Sequence, residues 1–203
     1  MIIMCLVIPA LAQDQDKKIP IEVGLRLGSY TPSNIQTQPD GIYEKSGSLV
    51  GFDLTIGTHN PNLSVRISLD KMTLSGSYVG SVYVFPTYET LTIDAEFEMT
   101  GISAGVMFHT PRTEKVRVYG GLSLGSFSAK EDISISLTSL GSDSVSASSS
   151  AIGTNFFGGV LFGSPKFNIG IELSFLSVTM DNTYSGKTDL GGINSSLALN
   201  IGF

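Results

Sequence analysis

The chain has 203 residues, of which 41% are hydrophobic and 15% charged, and its formal net charge is −6. This length favours a single domain, and an apolar, weakly charged composition excludes an intrinsically disordered chain. The acidic balance argues against a nucleic-acid-binding protein, and the lack of any run of 18 apolar residues argues against a membrane-spanning helix.

The first twelve residues have the apolar core and the small-residue ending, Ala10-Leu11-Ala12, of a secretory signal peptide. We expect cleavage after Ala12, so that 13–18 is a short periplasmic N-terminal segment and 19–203 is the folded domain. A buried N-terminal strand is the alternative. Because the single cysteine, Cys5, would leave with the signal, the mature chain could form neither a disulfide nor a cysteine-based metal site.

Eight segments alternate large apolar residues with small or polar ones, which is the period of a β-strand, and no useful length has a helical period. The segments are 19–30, 49–58, 63–74, 90–108, 115–128, 151–163, 167–178 and 190–203. The sequence therefore predicts an all-β fold.

Segment 90–108 is ambiguous, because its apolar residues are odd-numbered before Thr100-Gly101 and even-numbered after it. A β-bulge at the glycine would produce such a change of phase, and the barrel would then have eight strands. The alternative is a tight turn at Thr100-Gly101 and an additional strand over 77–85, which would give ten strands. We favour eight.

The connections alternate in length. Three are short and contain proline, at 59–62, 109–114 and 164–166, and we expect them on the periplasmic side. The longer, polar connections are expected to face the outside, and they are 31–48, 75–89, 129–150 and 179–189. The serine-rich tip of 129–150 is expected to be mobile, and residues 133–137 could extend a strand beyond the membrane.

The placement of charge decides between a soluble and a membrane barrel. In a membrane barrel the apolar face meets lipid and the polar face lines the lumen, whereas a soluble barrel has the reverse arrangement. The lumen of eight strands is too narrow for so many large apolar side chains. We therefore expect a closed, antiparallel, up-and-down transmembrane β-barrel. Lys71 is then the single charge in the lipid-facing phase, near a strand end where its stem can reach the rim.

The chain resembles the small outer-membrane β-barrels of Gram-negative bacteria typified by OmpA and OmpX, a porin-like family. The resemblance is carried by Val116-Arg-Val-Tyr-Gly-Gly-Leu-Ser-Leu-Gly125, by Phe167-Asn-Ile-Gly-Ile-Glu-Leu-Ser-Phe175 and by the terminal Phe203. It implies location in the outer membrane. It also implies that the last strand is the signal read by the barrel assembly machinery, with Leu197, Leu199, Ile201 and Phe203 as its residues. The absence of tryptophan departs from the usual aromatic girdle.

The polar faces of the strands are expected to form a charge network inside the lumen. Its candidate members are Glu22, Arg26, Asp53, Arg66, Asp70, Glu98, Arg117 and Glu172. An unpaired buried charge is costly, so each arginine should bind a carboxylate, although the sequence does not fix the pairs. We favour a closed lumen whose charges satisfy one another. A narrow, cation-preferring pore is the alternative, because acidic residues are in excess.

The predicted function is a non-enzymatic structural or surface-interaction role without a cofactor or a metal. Both histidines, His59 and His109, fall in predicted short turns, no Gly-x-Ser-x-Gly motif occurs, and two distant histidines are weak evidence for a metal site. The expected partners are outer-membrane lipid, the assembly machinery and an extracellular ligand bound through 31–48 and 129–150, but not nucleic acid. A soluble, lipocalin-like barrel that binds an apolar ligand is the alternative.

Overall fold

The computed structural model of the chain describes residues 19–33, 42–139, 141–182 and 186–203. The predicted signal peptide and the segment 13–18 lie outside these ranges. The strands are β1 (Ile21–Pro32), β2 (Gly47–Gly57), β3 (Leu63–Val84), β4 (Thr87–His109), β5 (Val116–Leu137), β6 (Gly141–Ser164), β7 (Phe167–Ser177), β8 (Thr179–Asn182), β9 (Gly186–Asp189) and β10 (Gly192–Gly202). Among the described residues, no helix has the length and apolarity needed to cross a membrane.

Eight strands form one closed antiparallel barrel in the order β1-β10-β7-β6-β5-β4-β3-β2, and β8 and β9 form a separate hairpin. Strands β1 and β10 close the barrel, with paired residues from Glu22–Gly202 to Pro32–Gly192. This confirms the eight-stranded up-and-down barrel and the pairing of its two ends. Closure pairs the backbone polar groups of the wall with one another, which a strand in hydrocarbon requires.

An apolar belt surrounds the outside of the barrel. On β7 it runs from Phe167 to Phe175, and every second side chain, such as Ile171, is about half exposed. Nine residues that rise about 3.4 Å each, at a tilt of about 40°, cover roughly 23 Å along the barrel axis. That height matches the lipid-facing band of outer-membrane barrels, which is about 25 Å.

Strand β4 runs without interruption through the place where a bulge was expected. Gly101 pairs with Asp70 of β3 and with Phe127 of β5, and the register is continuous on both sides. The predicted bulge is therefore wrong. The ten-stranded alternative is also wrong, because the backbone does not turn at Gly101 and residues 77–85 continue β3.

The change of phase in the β4 sequence has a different cause, because the apolar side chains change faces while the strand keeps its alternation. Below Gly101, toward the short turns, Ile102 and Phe108 point outward and are more than half exposed. Above it, Phe97 and Met99 point inward and are buried. The wall is thus apolar outside at its lower level and apolar inside at its upper level.

Strands β3 to β6 have 22 to 24 residues, about twice the length of the other barrel strands. Their upper parts form a sheet above the belt, which we call the extension (residues 74–98, 129–139 and 141–150). It has four strands as far as Leu91, and the β3–β4 hairpin continues beyond Leu91 as two strands. Most of the segments 75–89 and 129–150, expected as polar loops, is therefore paired strand, and so are the serines of 142–150. The expected strand extension at 133–137 is confirmed.

The upper part of the lumen is filled by a buried apolar cluster, which we call the plug. Its residues are Tyr30, Tyr43, Leu49, Met72, Leu74, Ala95, Phe97, Met99, Phe127, Ala129, Leu176, Val178, Met180 and Leu190. Tyr43 joins it from the segment before β2 and donates a hydrogen bond to Glu131. Burial, followed by that hydrogen bond, raises the pKa of the Tyr43 hydroxyl.

Candidate functional site: the charged lumen

Charged side chains fill the lower half of the lumen, between the plug and the short turns. The inward positions of β1, β2, β3, β5 and β7 supply them, because alternate residues of each strand point into the barrel. The structure places seven of the eight predicted network residues there, each at most 8% exposed. They are Glu22, Arg26, Asp53, Arg66, Asp70, Arg117 and Glu172.

Arg26 binds three carboxylates from three different strands. Its Nε and Nη2 donate to the two oxygens of Asp53 at 2.7 and 3.0 Å. Its Nη2 also donates to Asp70 at 2.6 Å, and its Nη1 donates to Glu172 at 3.1 Å. The two-pronged contact with Asp53 fixes the plane of the guanidinium group.

Arg66 binds two of the same carboxylates from the opposite side. Its Nη1 and Nη2 donate to the two oxygens of Glu172 at 2.6 and 3.0 Å. Its Nε and Nη2 donate to Asp53 at 3.1 and 2.9 Å. Its guanidinium carbon also lies 4.4 Å from the centre of the Phe157 ring, a favourable cation–π distance. Asp53 and Glu172 therefore bridge both arginines.

Neutral donors complete this group. The Tyr119 hydroxyl donates to Glu172 at 2.7 Å, and the Ser68 hydroxyl donates to Asp53 at 2.7 Å. Two arginines face three carboxylates, so the group carries one formal negative charge if all of them are ionised. The contacts of Arg26, Arg66 and Tyr119 with Glu172 join strands that are far apart in sequence, so the network crosses the lumen and holds its walls together.

A second group lies nearer the short turns. Both Nη atoms of Arg117 donate to the carboxylate of Glu22, at 2.5 and 2.8 Å. Arg112, from the turn after β4, lies 3.2 Å from the same carboxylate and donates to the Ser64 hydroxyl at 2.8 Å. The predicted pairing of each arginine with a carboxylate holds, and Arg112 is an additional member that the sequence analysis missed.

Ser64 and His109 form a pair that the sequence analysis also missed. His109 was expected in a short turn, but it is the last residue of β4 and is only 6% exposed. Its Nδ1 lies 2.8 Å from the Thr110 carbonyl oxygen, so Nδ1 carries the proton, and Nε2 accepts from the Ser64 hydroxyl at 2.8 Å. The register of β3 against β4 creates this pair, and a period-two pattern contains no information about register. His59 does lie in a turn and is exposed.

The space left among the charged side chains is small. One cavity of about 20 Å³ lies between Glu22, Arg66, Arg117, Tyr119 and Glu172. A polar cavity of that size has room for about one water molecule. The lumen is thus occupied at two successive levels, by the charged groups below and by the plug above.

No family model matches the chain, and no curated protein matches its sequence. Among solved structures, Neisserial surface protein A superposes with a TM-score of 0.57 at 13% identity, over 92% of this chain and 100% of that one. Ail, the attachment invasion locus protein of Yersinia pestis, superposes with a TM-score of 0.54 at 18% identity over the same shares. Its crystal structure contains the heparin analogue sucrose octasulfate. Both are eight-stranded outer-membrane barrels.

The chain has the fold of the small outer-membrane β-barrels. At identities this low the similarity establishes the fold alone, and it agrees with the outward apolar belt. The expected resemblance to this fold is thereby confirmed, and the outward apolar belt supports the expected location in a bacterial outer membrane.

In this outer-membrane barrel Glu98 is not a lumen residue, and that part of the predicted network is wrong. Its carboxylate lies on the outer face, 2.7 Å from Nζ of Lys71, and both side chains are substantially exposed. Glu98 had been assigned to the lumen because a bulge at Gly101 would have changed the phase of β4. Since the phase is constant, Glu98 joins Lys71 at the upper rim of the belt.

The four residues expected to form the assembly signal lie on β10 and at the chain end. Leu197, Ile201 and Phe203 are exposed on the outer face, and Leu199 is partly buried in the same phase. The Phe203 amide donates to the Ile21 carbonyl oxygen at 2.8 Å, so the terminal residue is still paired with β1. Their role in assembly stays a prediction.

Proposed function

We propose that this outer-membrane barrel is a non-enzymatic surface protein with a closed lumen, whose extension makes the functional contacts. The observation that carries the proposal is the filling of the lumen at two levels. The charged group leaves a cavity of about 20 Å³, and the plug above it is buried and apolar.

An ion on its way through the barrel would have to displace both levels. Arg26 and Arg66 together donate eight hydrogen bonds to carboxylates, and an ion would have to separate these partners in the membrane interior. Separating a buried pair without replacement partners costs about 3–5 kcal/mol. Above the pairs, Phe127, Met99 and Leu176 offer no polar group to replace water around an ion.

Planar-bilayer recording tests the closed lumen. We expect the refolded protein to insert without single-channel steps, and reproducible steps of one size would overturn the proposal. A cation-preferring pore is the second candidate, because three carboxylates face two arginines in the central group. In that case Glu172→Gln should reduce the preference for cations, whereas Glu98→Gln on the outer face should leave it unchanged.

A non-enzymatic role is supported by the burial of the one serine–histidine pair described above. Ser64 is 0% exposed, and its hydroxyl oxygen already accepts a hydrogen bond from Arg112. A substrate could not reach this oxygen without displacing the second charged group, to which Arg112 belongs. The soluble, lipocalin-like alternative is wrong, because the apolar belt faces outward and the lower lumen is charged.

The charge of the extension bears on its partners. It carries seven acidic residues and one basic residue, Lys130, and the acidic ones are Glu89, Asp94, Glu96, Glu98, Glu131, Asp132 and Asp143. Ail was crystallised with a heparin analogue, which is a polyanion. An acidic surface repels a polyanion, so we expect no retention of this protein on immobilised heparin at physiological salt. Retention that salt abolishes would contradict this assignment of the extension.

A further inference from the structure

The hairpin that joins β3 and β4 ends in a group of exposed aromatic side chains. Phe85 is 85% exposed and Tyr88 is 77% exposed, and Tyr83 is exposed beside them. The rings of Tyr83 and Tyr88 pack across the strands with their centres 5.1 Å apart and tilted by 57°. We call Tyr83, Phe85, Pro86 and Tyr88 the tip.

Large exposed aromatic groups are uncommon on soluble surfaces and usually mark a binding surface. Tyrosine combines an apolar ring with a polar hydroxyl, which suits the boundary between water and an apolar phase. The tip is also convex, since it is a two-residue turn between the paired residues Val84 and Thr87. A convex end can insert into a lipid layer or into a groove of a partner protein, but it has no enclosed site for a small molecule.

The distribution of charge on the extension indicates which kind of surface the tip could meet. The 17 residues from Met72 to Tyr88 carry no charge, whereas the rest of the extension has a marked acidic excess. An uncharged tip is neither attracted nor repelled by zwitterionic lipid headgroups. An anionic surface would repel the acidic residues behind the tip, of which Glu89 is the nearest in the chain.

The geometry also limits how deep the tip could enter. At about 3.3 Å per residue, Tyr83 lies roughly 7 Å behind Phe85, within the 5–10 Å over which interfacial groups enter a bilayer. Glu89 pairs with Val82, roughly 10 Å behind the turn, and would stay at the level of the headgroups. All three aromatic rings could thus enter while the first charge remains hydrated.

The membrane in question is not the one that holds the barrel. Phe85 lies 16 residues beyond Leu69, the last exposed apolar residue of the belt on β3. Sixteen residues at about 3.3 Å, tilted by about 40°, place the tip roughly 40 Å above the belt. The extension keeps this distance because β4 remains paired with β5 as far as Leu91–Leu137.

We propose that the tip is a docking element that inserts into the outer leaflet of an apposed bilayer of zwitterionic phospholipid. This rests on the surface role proposed above and names its partner as a lipid surface. It is independent of the closed lumen, which conductance tests. A negative lipid result would therefore leave the closed-lumen assignment standing.

The experiment uses the full barrel folded into nanodiscs, mixed with phosphatidylcholine vesicles that are then separated by flotation. We expect the barrel to float with the vesicles and the triple variant Tyr83→Ser, Phe85→Ser, Tyr88→Ser to bind at least tenfold less. The matched control is Val79→Ser, since Val79 is 67% exposed on the same hairpin but lies behind the insertion depth. It should bind like the unaltered barrel, and all variants should keep the gel mobility of a folded barrel.

A second readout uses the absence of tryptophan from the chain. In Phe85→Trp the single indole should shift to shorter emission wavelengths on binding and be quenched by brominated lipid. Replacing 30% of the lipid by phosphatidylserine should weaken binding at low salt. The proposal is overturned if the triple variant floats as well as the unaltered barrel or if the indole is not quenched. It is also overturned if barrels associate through the tip without vesicles, which would identify a second copy as the partner.

Discussion

Replacing Arg26 by methionine should destabilise the barrel strongly, because Arg26 joins three carboxylates in a lumen that is nearly closed to water. The variant keeps most of the side-chain volume but removes four hydrogen bonds of 2.6 to 3.1 Å. Asp53 and Glu172 keep Arg66 as a partner. Asp70 loses its hydrogen-bond donor, because the hydrogen bond from Arg26 is the one that the described structure shows for it, and Asp70 is 5% exposed.

Removing one partner of a buried ion pair costs about 3–5 kcal/mol, which corresponds to a factor of roughly 10² to 10³ in the unfolding equilibrium. Lys130→Met is the matched control. Lys130 and Asp132 are as close, at 2.5 Å, but both are exposed. Exposed pairs contribute little to stability, so the control should lose far less than Arg26→Met.

The assay is reversible urea unfolding of the barrel in phospholipid vesicles, followed by circular dichroism because the chain has no tryptophan. The double variant Arg26→Met, Asp70→Asn should recover about 1–3 kcal/mol of the loss, because it removes the stranded carboxylate as well. Equal losses of stability in Arg26→Met and Lys130→Met, or no recovery in the double variant, would refute the role assigned to Arg26.

Three further predictions follow from other parts of the wall. Deleting Phe203 should slow assembly into vesicles. Leu197→Asp should lower stability by about 2–4 kcal/mol, since Leu197 faces lipid. Normal heat-modifiable folding of both variants would contradict these two expectations. Phe97→Ala should lower stability by about 3–5 kcal/mol because it opens a cavity in the plug, whereas Tyr88→Ala should stay within about 0.5 kcal/mol in urea unfolding. Glu98→Ala should change stability by less than about 1 kcal/mol, because its ion pair is exposed.

The alternation of large apolar residues was sufficient to predict the eight strands, their antiparallel order and the lipid-facing side. Segments such as 167–178 belong to one level of the wall, so one face is apolar throughout. In β4 the same reasoning failed, because the inference assumed that one face of a strand stays apolar along its whole length. Phe97 and Met99 point inward for the same reason that Ile102 points outward: each faces an apolar medium, the plug or the lipid.

The partners of the charged groups could not be predicted, because they depend on register and on contacts across the lumen. Nothing local in the chain relates Arg26 to Glu172, which are 146 residues apart. The long connections were misjudged for a related reason. Serine and glycine weaken a strand prediction, yet the serines of 142–150 pair with β5 because a partner strand already exists there.

The reversal of faces in β3 and β4 also fixes how deep the barrel sits in its bilayer. If the barrel sat one pair of residues deeper in the bilayer, in the direction of its short turns, Lys71 and Glu98 would lie in hydrocarbon. If it sat one pair of residues higher, Leu69 and Ile102 would be exposed to water. Either displacement opposes hydrophobic matching at the upper boundary, so the vertical position of this side of the wall is defined to within about one residue, or roughly 3 Å. Anything carried by the extension is therefore held at a constant height above the membrane that contains the barrel.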